Sequence, residues 1–478
     1  MSNYPELFLA IGDTRISASS RETLLVTDPA TGAHLGALPC ANSRDVERAI
    51  AAAEAAFLTW SQMSPTARSD AMMRVAQGID AAREQLATII CLDLGKPRTE
   101  ALVEVDTAAG MWRWNAEETR RLYGRVIPAR RTDLLQTALK VPVGPVAAFA
   151  PWNAPLVTPS RKISSALGAG CSIVLKAAEE VPGPAVALMR IIDEAGIPAG
   201  TVNLLFGNPP AICDQLLASG VIRAVTFTGS THVGRQVAIA AMGSFKRVVM
   251  ELGGHAPVIV TADCDITQVA KLSVRGKFRN AGQICTSPTR FLIERDAYDA
   301  FAETFVTEMQ NLKVGPYTDT GSEMGPLVND RRVQAIASLI EDARQQGVQV
   351  ETGSVGSNSG SFHAPTAILN ATPVLRAMNE EPFGPLALLA PFDNLDDAIA
   401  EANRLPVGLA AYAFTTRIET SRRLAAQVRA GNVILNHFQV SLPETPFGGV
   451  GDSGLGSEGG SEGVAAFLDT KYVSEALL

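Results

Sequence analysis

VAAFA (146–150), SIVLK (172–176), VNLLF (202–206), AVTFT (224–228) and RVVME (247–251) are five short, almost wholly apolar runs in the middle of the chain. A strand buried on both faces requires this kind of run. Between the runs lie segments with helical patterning, such as 184–195 and 232–242. Strands alternating with helices predict a parallel sheet covered on both sides, and so an α/β fold. After Gly254 the alternation resumes with different spacing, through helical patterns at 299–312, 331–346 and 418–430 and strands near Phe291 and at NVILN (432–436). A second α/β domain follows. Upstream, Val46, Ala49, Ile50, Ala53, Ala56, Phe57 and Trp60 fall at helical spacing behind Asn42 and Ser43, which are available as caps. Another helical pattern runs from Thr66 toward Cys91. Between about 118 and 140 the pattern breaks into short alternating pieces around Gly124 and Pro128, which predicts extended strands projecting as an arm.

At roughly 150 residues per domain, 478 residues make about three units, or two large domains with an appendage. With 46% hydrophobic and 19% charged residues, disordered and fibrous readings fail. The formal net charge is −8 and Lys and Arg are nowhere clustered, so no nucleic-acid partner is expected. The most apolar stretch, 141–157, is interrupted by Pro142, Pro145, Pro151 and Pro155 and holds Asn153, so no membrane span is expected there. The first basic residue is Arg15, which leaves no charged leader and predicts a cytoplasmic protein. Six scattered cysteines without a C-x-x-C pair predict neither a disulfide framework nor a metal site.

Gly454-Leu455-Gly456-Ser457-Glu458-Gly459 fits G-x-G-x-x-G, but only 19 residues follow, too few for the helix and strand that a dinucleotide site needs. The stretch FTGSTHVG (227–234) leaves a predicted strand and enters a predicted helix, where backbone N–H groups can face a pyrophosphate. In FRNAGQICTSPTR (278–290), Cys285 follows a glycine turn among polar residues and reads either as a nucleophile or as an inert small core residue. Glu251 of MELGGHAP (250–257) ends an apolar run, as a solvated strand end or as a carboxylate held at an interdomain cleft. Asn153 of PWNAP (151–155) either donates its amide to a ligand or only caps a turn. An amide donor, a carboxylate and a thiol together are what acyl transfer through cysteine uses.

PWNAP, KAAEE (176–180), FTGST, MELGG, FRNAGQIC, EEPFGP (380–385) and PFGGV (446–450) stand in the order and spacing of one family. From about residue 25 onward the chain resembles the NAD(P)-dependent aldehyde dehydrogenases with a cysteine nucleophile. The resemblance implies a Rossmann-like cofactor domain (1–118 and 142–252), an α/β catalytic domain (253–450) and a small β oligomerisation arm with the tail (119–141 and 451–478). It implies a homodimer or homotetramer. It makes Cys285 the nucleophile, Glu251 the base that activates the deacylating water, Asn153 the oxyanion donor, and Lys162 with Glu458 a proton-relaying pair. NAD would be held by Trp152, by Lys176 and Glu179 at the adenosine ribose, by Gly229 and Ser230 at the pyrophosphate, and by Glu381 and Phe383 at the nicotinamide riboside. A carboxylate at Glu179 favours NAD over NADP, since it accepts from ribose hydroxyls and repels a 2′-phosphate.

Two positions depart from the family pattern. Ala154 replaces the aromatic residue within P-W-N-F-P, which widens the entrance near the substrate, and Gly451 replaces the lysine after P-F-G-G-x. In the succinate-semialdehyde dehydrogenase branch, a carboxylate is gripped by an Arg before the helix lysine, an Arg six residues before the nucleophile and a Ser before P-F-G-G. Arg161, Arg279 and Ser441 match, and are expected to form one buried anion site. Ser287 stands where some of that branch carry a second cysteine, so no disulfide switch is expected. The rival readings are an aromatic or longer aldehyde, favoured by Ala154, a CoA-acylating dehydrogenase, which retention of Glu251 opposes, and a non-catalytic binding protein.

Overall fold

The computed structural model describes residues 4–19, 21–356 and 360–476. The five apolar runs form the centre of an eight-stranded sheet in the order Thr14–Ile16, Leu9–Ile11, Val202–Leu205, Ile173–Lys176, Val146–Phe149, Ala224–Thr228, Arg247–Glu251, Gly454–Leu455. The five central strands are parallel, as the alternation with helices predicts. Alternate residues serve opposite faces: Val146, Ala148, Ile173 and Leu175 pack into one core, and Ala147, Phe149, Val174 and Val225 into another. Helices therefore cover the sheet on both sides. Strand order reverses between Val146–Phe149 and Ala224–Thr228, and a crevice opens at the carboxyl ends of strands at such a point. The register Phe149↔Lys176, Phe149↔Phe227 and Thr228↔Glu251 brings Lys176, Thr228 and Glu251 to that same edge.

A second, seven-stranded sheet runs Val350–Thr352, Thr366–Ile368, Leu386–Phe392, Arg290–Glu294, Pro257–Val260, Ala410–Phe414, Asn432–Leu435. It is parallel except at its first edge and is likewise sandwiched between two cores. The arm is a three-stranded antiparallel sheet in which Leu134–Pro142 lies between Arg125–Ile127 and Leu468–Ala476. Residues 451–478, grouped with the arm from sequence, divide on the way: Gly454–Leu455 pairs with Met250 and Glu251 and extends the first sheet before the chain reaches the arm.

The helix at 43–60 begins with the expected cap, Asn42 and Asp45 each accepting the other's backbone N–H at 3.0 Å. The pattern from Thr66 to Cys91 is two helices, Pro65–Ala81 and Arg83–Leu94, broken at Ala82. Next comes the 22-residue helix Arg98–Thr119, which packs on Pro65–Ala81 and on Val157–Ala169. Among the described residues no helix is long and apolar enough to cross a membrane, and no His, Cys, Asp and Glu cluster could hold a metal ion.

Candidate active site

Cys285 follows a turn of unusual backbone. The helix Ile266–Phe278 stops, and Asn280, Ala281 and Gly282 take φ of 47°, 52° and 73° in succession. A Cβ on Gly282 would lie 2.1 Å from the Gly384 carbonyl, so glycine is required there. Side chains with such φ persist only where the surroundings fix them. Here Asn280 donates its side-chain amide to the Asn153 and Gln283 carbonyls at 3.1 and 3.2 Å, and Gln283 accepts the Val328 N–H at 2.9 Å. Tyr412 donates its hydroxyl to the Thr286 carbonyl at 2.7 Å. Cys285 is left half-buried.

Three of the expected catalytic groups meet at this turn. The Cys285 thiol and the Glu251 carboxylate are neighbours, each acting on the other's proton affinity. Burial, then the neighbouring Glu251 charge, holds the thiol well above its ordinary range. Burial first, with the Glu458 charge behind it, pushes Glu251 up to about 6, and its Oε1 has no hydrogen-bond partner among the described residues. A carboxylate poised near neutrality beside a thiol suits general-base work. Asn153 is buried just past the strand Val146–Phe149, tied by its own carbonyl to the nucleophile turn.

Behind Glu251 lies a buried polar cluster. Lys162 donates to Glu458 at 2.6 Å and to Thr226 at 2.9 Å, and Thr226 donates to Glu458 at 3.0 Å. Burial pushes Glu458 upward, but the Lys162 and Arg161 charges outweigh it and hold the carboxyl below its usual range. Arg161, also buried, donates to the Ser441 hydroxyl, stands 3.7 Å from Glu458 and lies over the Phe447 ring at 4.7 Å. Its Nε has no partner among the described residues. Arg279 departs from expectation. Its side chain is exposed, because the helix before it turns Lys277 and Phe278 inward, and its charge lies near Glu100. Of the two arginines expected to form an anion site, Arg161 is buried and Arg279 lies at the surface.

The cofactor candidates line the carboxyl edge of the first sheet. Lys176 pairs with Glu179 at 2.6 Å, and Glu179 also accepts the Gly207 N–H at 3.0 Å. Ser230 caps the helix Thr231–Met242, and a Cβ on Gly229 would strike the Phe227 ring at 2.7 Å. Thr228 Oγ1 is buried there without a partner among the described residues. Trp152 meets Phe383 edge to face at 5.4 Å. Glu381 accepts the Gly254 N–H at 3.2 Å and is pushed by burial up to about 8. A carboxylate for ribose hydroxyls, a helix start for phosphates and an aromatic pair for a flat ring fit a nicotinamide dinucleotide. Glycine 454–459 has no such role, since it supplies an edge strand and Glu458.

Several contributors carry no motif of their own. Lys277 is buried, donates to Ser287 at 3.1 Å and is pushed by burial down to about 7. Glu100 and Glu104, on the helix Arg98–Thr119, reach into the site from behind. Their distance in sequence from Cys285 and Asn153 leaves no local signal.

The model of the aldehyde dehydrogenase family matches residues 16–473. The chain is 43% identical to a putative 4-(hydroxymethyl)benzenesulfonate dehydrogenase of Comamonas testosteroni, over 98% of each chain. It is 40% identical to the mitochondrial succinate-semialdehyde dehydrogenase of Oryza sativa, over 97% of this chain and 88% of that one. A crystal structure of succinate-semialdehyde dehydrogenase from Burkholderia pseudomallei superposes with a TM-score of 0.96 at 35% identity, over 99% of this chain and 98% of the other. A cysteine, a carboxylate and an amide held around one turn, on a fold shared along nearly the whole chain, place this protein in the aldehyde dehydrogenase family, NAD- or NADP-dependent oxidoreductases.

Proposed function

We propose that this aldehyde dehydrogenase oxidises a short aldehyde bearing a distal anionic group, with succinate semialdehyde the first candidate, and uses NAD. The observation that carries this reading is Arg161, a buried guanidinium with an unpartnered Nε beside the Ser441 hydroxyl and near Cys285. A guanidinium with donors to spare suits a planar anion.

In this reading Cys285 Sγ attacks the aldehyde carbon while its proton passes to Glu251, and the Asn153 amide donates to the oxyanion. Trp152 and Phe383 would hold a nicotinamide, which would supply the hydride acceptor. Loss of hydride from the carbon bonded to Cys285 leaves a thioester; Glu251, having passed the thiol proton on, takes a proton from water, the hydroxide attacks the thioester carbon, and the acid leaves as the Cys285–carbon bond breaks. Protons pass onward through Lys162, Thr226 and Glu458. Retention of Glu251 supports water, not CoA, as the acyl acceptor. Glu179 supports NAD, with Lys176 softening the discrimination.

The protein is read as a cytoplasmic homodimer or homotetramer. Supporting this are Val233, Ile239 and Met242, exposed on one helix with Phe245 beyond it, and the arm with exposed Val126, Leu135 and Tyr472. A second substrate reading, an aromatic aldehyde with a para anion, is favoured by Ala154 and by the benzenesulfonate relative's name. Both readings share the anion. Steady-state rates with succinate semialdehyde, 4-sulfobenzaldehyde, 4-carboxybenzaldehyde, benzaldehyde and butanal, each with NAD and with NADP, test them. Preference for butanal or benzaldehyde over every anionic aldehyde rejects the anion site.

A further inference from the structure

The nucleophile turn and the oxyanion loop belong to different sheets, yet both are held by one helix that contributes nothing to either sheet. Glu100 and Glu104 stand one turn apart on Arg98–Thr119, so their side chains share a face. Glu100 Oε2 accepts the backbone N–H of Asn280 at 2.8 Å, at the first left-handed residue before Cys285. Glu104 Oε1 accepts the N–H groups of Leu156 and Val157 at 2.9 and 3.3 Å, where the loop carrying Asn153 enters its helix. The other Glu104 oxygen is fixed by buried Lys96 at 2.5 Å. A carboxylate aimed at a helix start satisfies N–H groups that no helical carbonyl reaches. Between the two anchor points, Asn280 donates to the Asn153 carbonyl at 3.1 Å and closes the triangle.

We propose that Glu100 and Glu104 are positioning residues which, through this one helix, set the separation between the Cys285 sulfur and the Asn153 amide. The inference rests on the proposed roles of Cys285 and Asn153. The Asn280–Ala281–Gly282 turn cannot hold its left-handed path by side-chain packing alone, because Ala281 has only a methyl group to offer. Its backbone must be gripped, and Glu100 grips it from outside the catalytic sheet. Glu104 does the same for the opposite wall. A shift of either wall changes the attack distance without touching substrate or cofactor. Burial, with the Glu104 charge adding to it, raises the Glu100 pKa, while Lys96, Arg279 and the Asn280 N–H oppose the rise.

The test uses the full-length enzyme with NAD and its best aldehyde from the panel above. Glu100→Ala and Glu104→Ala are compared with Glu100→Gln, which keeps an acceptor oxygen for the Asn280 N–H. Three readouts are taken: the single-turnover rate of NADH formation, KM for NAD, and the rate of Cys285 alkylation by iodoacetamide. Each Ala variant is expected to lose about 10²-fold in the single-turnover rate, the cost of a misplacement of about 1 Å, with KM for NAD within twofold. Cys285 alkylation is expected to change by less than threefold, since the thiol is still present and accessible. Glu100→Gln is expected to restore the single-turnover rate to within threefold of wild type. A single-turnover rate in folded Glu100→Ala within threefold of wild type overturns the inference. So does a folded Glu100→Gln as impaired as Glu100→Ala, which would make the charge and not the acceptor the point. Should the Ala variants fail to fold, Glu100→Asp, which keeps the carboxylate but shortens its reach, decides the matter by the same rate. An inactive wild type, or an active Cys285→Ala, rejects the underlying reading instead.

Discussion

Arg161 and Ser441 stand 280 positions apart in the chain, and the guanidinium Nη2 donates to the serine hydroxyl at the end of the cleft that holds Cys285. Each charge-assisted hydrogen bond to a bound anion is worth about 1.5–3 kcal/mol. Arg161→Ala is therefore expected to lower kcat/KM for succinate semialdehyde by roughly ten- to a hundredfold beyond any loss seen with butanal. Arg279→Ala, at an exposed side chain, is expected to show a smaller difference. Equal losses on both aldehydes in Arg161→Ala would falsify the anion site.

Cys285→Ala is expected to fold and show no dehydrogenase activity, because no other thiol lies against Glu251. Glu251→Gln is expected to release no more than about one equivalent of NADH per site, more slowly than wild type because the thiol loses its proton acceptor, and then to stall, since deacylation needs the base again. With the Glu251 carboxyl at about 6, the deacylation rate of the wild type should rise with pH through that value, because the base acts when ionised. A Glu251→Gln variant with normal steady turnover removes this role.

Asn153→Ala is expected to slow the single-turnover hydride step by roughly 10²–10³-fold, the usual cost of one oxyanion donor. Stopped-flow NADH absorbance gives the rate. No change would leave the amide without a part in the reaction.

Glu179 accepts from both Lys176 and the Gly207 N–H, so its charge is compensated but present. Wild type is expected to prefer NAD by kcat/KM, and Glu179→Ser to shift the ratio toward NADP by freeing Lys176 for a 2′-phosphate. An NADP preference in wild type, or an unmoved ratio in the variant, rejects the assignment.

Glu381 has a folded pKa of about 8 against an ordinary 4.5, so it favours the folded state only while protonated. Its contribution is full below about 4.5 and is lost as pH climbs to about 8. Melting temperature should fall more steeply between pH 5 and 9 in wild type than in Glu381→Gln, whose amide never ionises. Parallel curves reject this.

The five central strands of the first sheet were readable because burial on both faces leaves little room for polar residues, so each run announces itself; the short edge strands Leu9–Ile11, Thr14–Ile16 and Gly454–Leu455 carry no such run. The helix Arg98–Thr119 was not, because its buried face includes Glu104, Asn115, Glu118 and Thr119, which break the apolar period. The same reason hides Glu100 and Glu104 as site residues: their partners are backbone N–H groups, which have no signature in the sequence. Cys285, Glu251 and Asn153 each stand beside Gly or Pro, which left a catalytic and an inert reading both open until the family resemblance chose between them, and whether they meet depends on sheet register. Arg279 shows the reverse error. Its place six residues before Cys285 implied burial, whereas the helix end at Phe278 sets its side chain outward.

Gly454–Leu455 closes the edge of the strand that bears Glu251, and three residues later the same segment delivers Glu458 to Lys162. Synthesis runs from the other end, and domains fold as units while the chain emerges. Until those late residues leave the ribosome, Arg247–Glu251 is an open sheet edge, and Lys162 is a buried cation without its carboxylate. Loss of the final 25 residues or so is therefore expected to remove at once an edge strand, the carboxylate partner of Lys162 and the core residues Val464, Phe467 and Leu468.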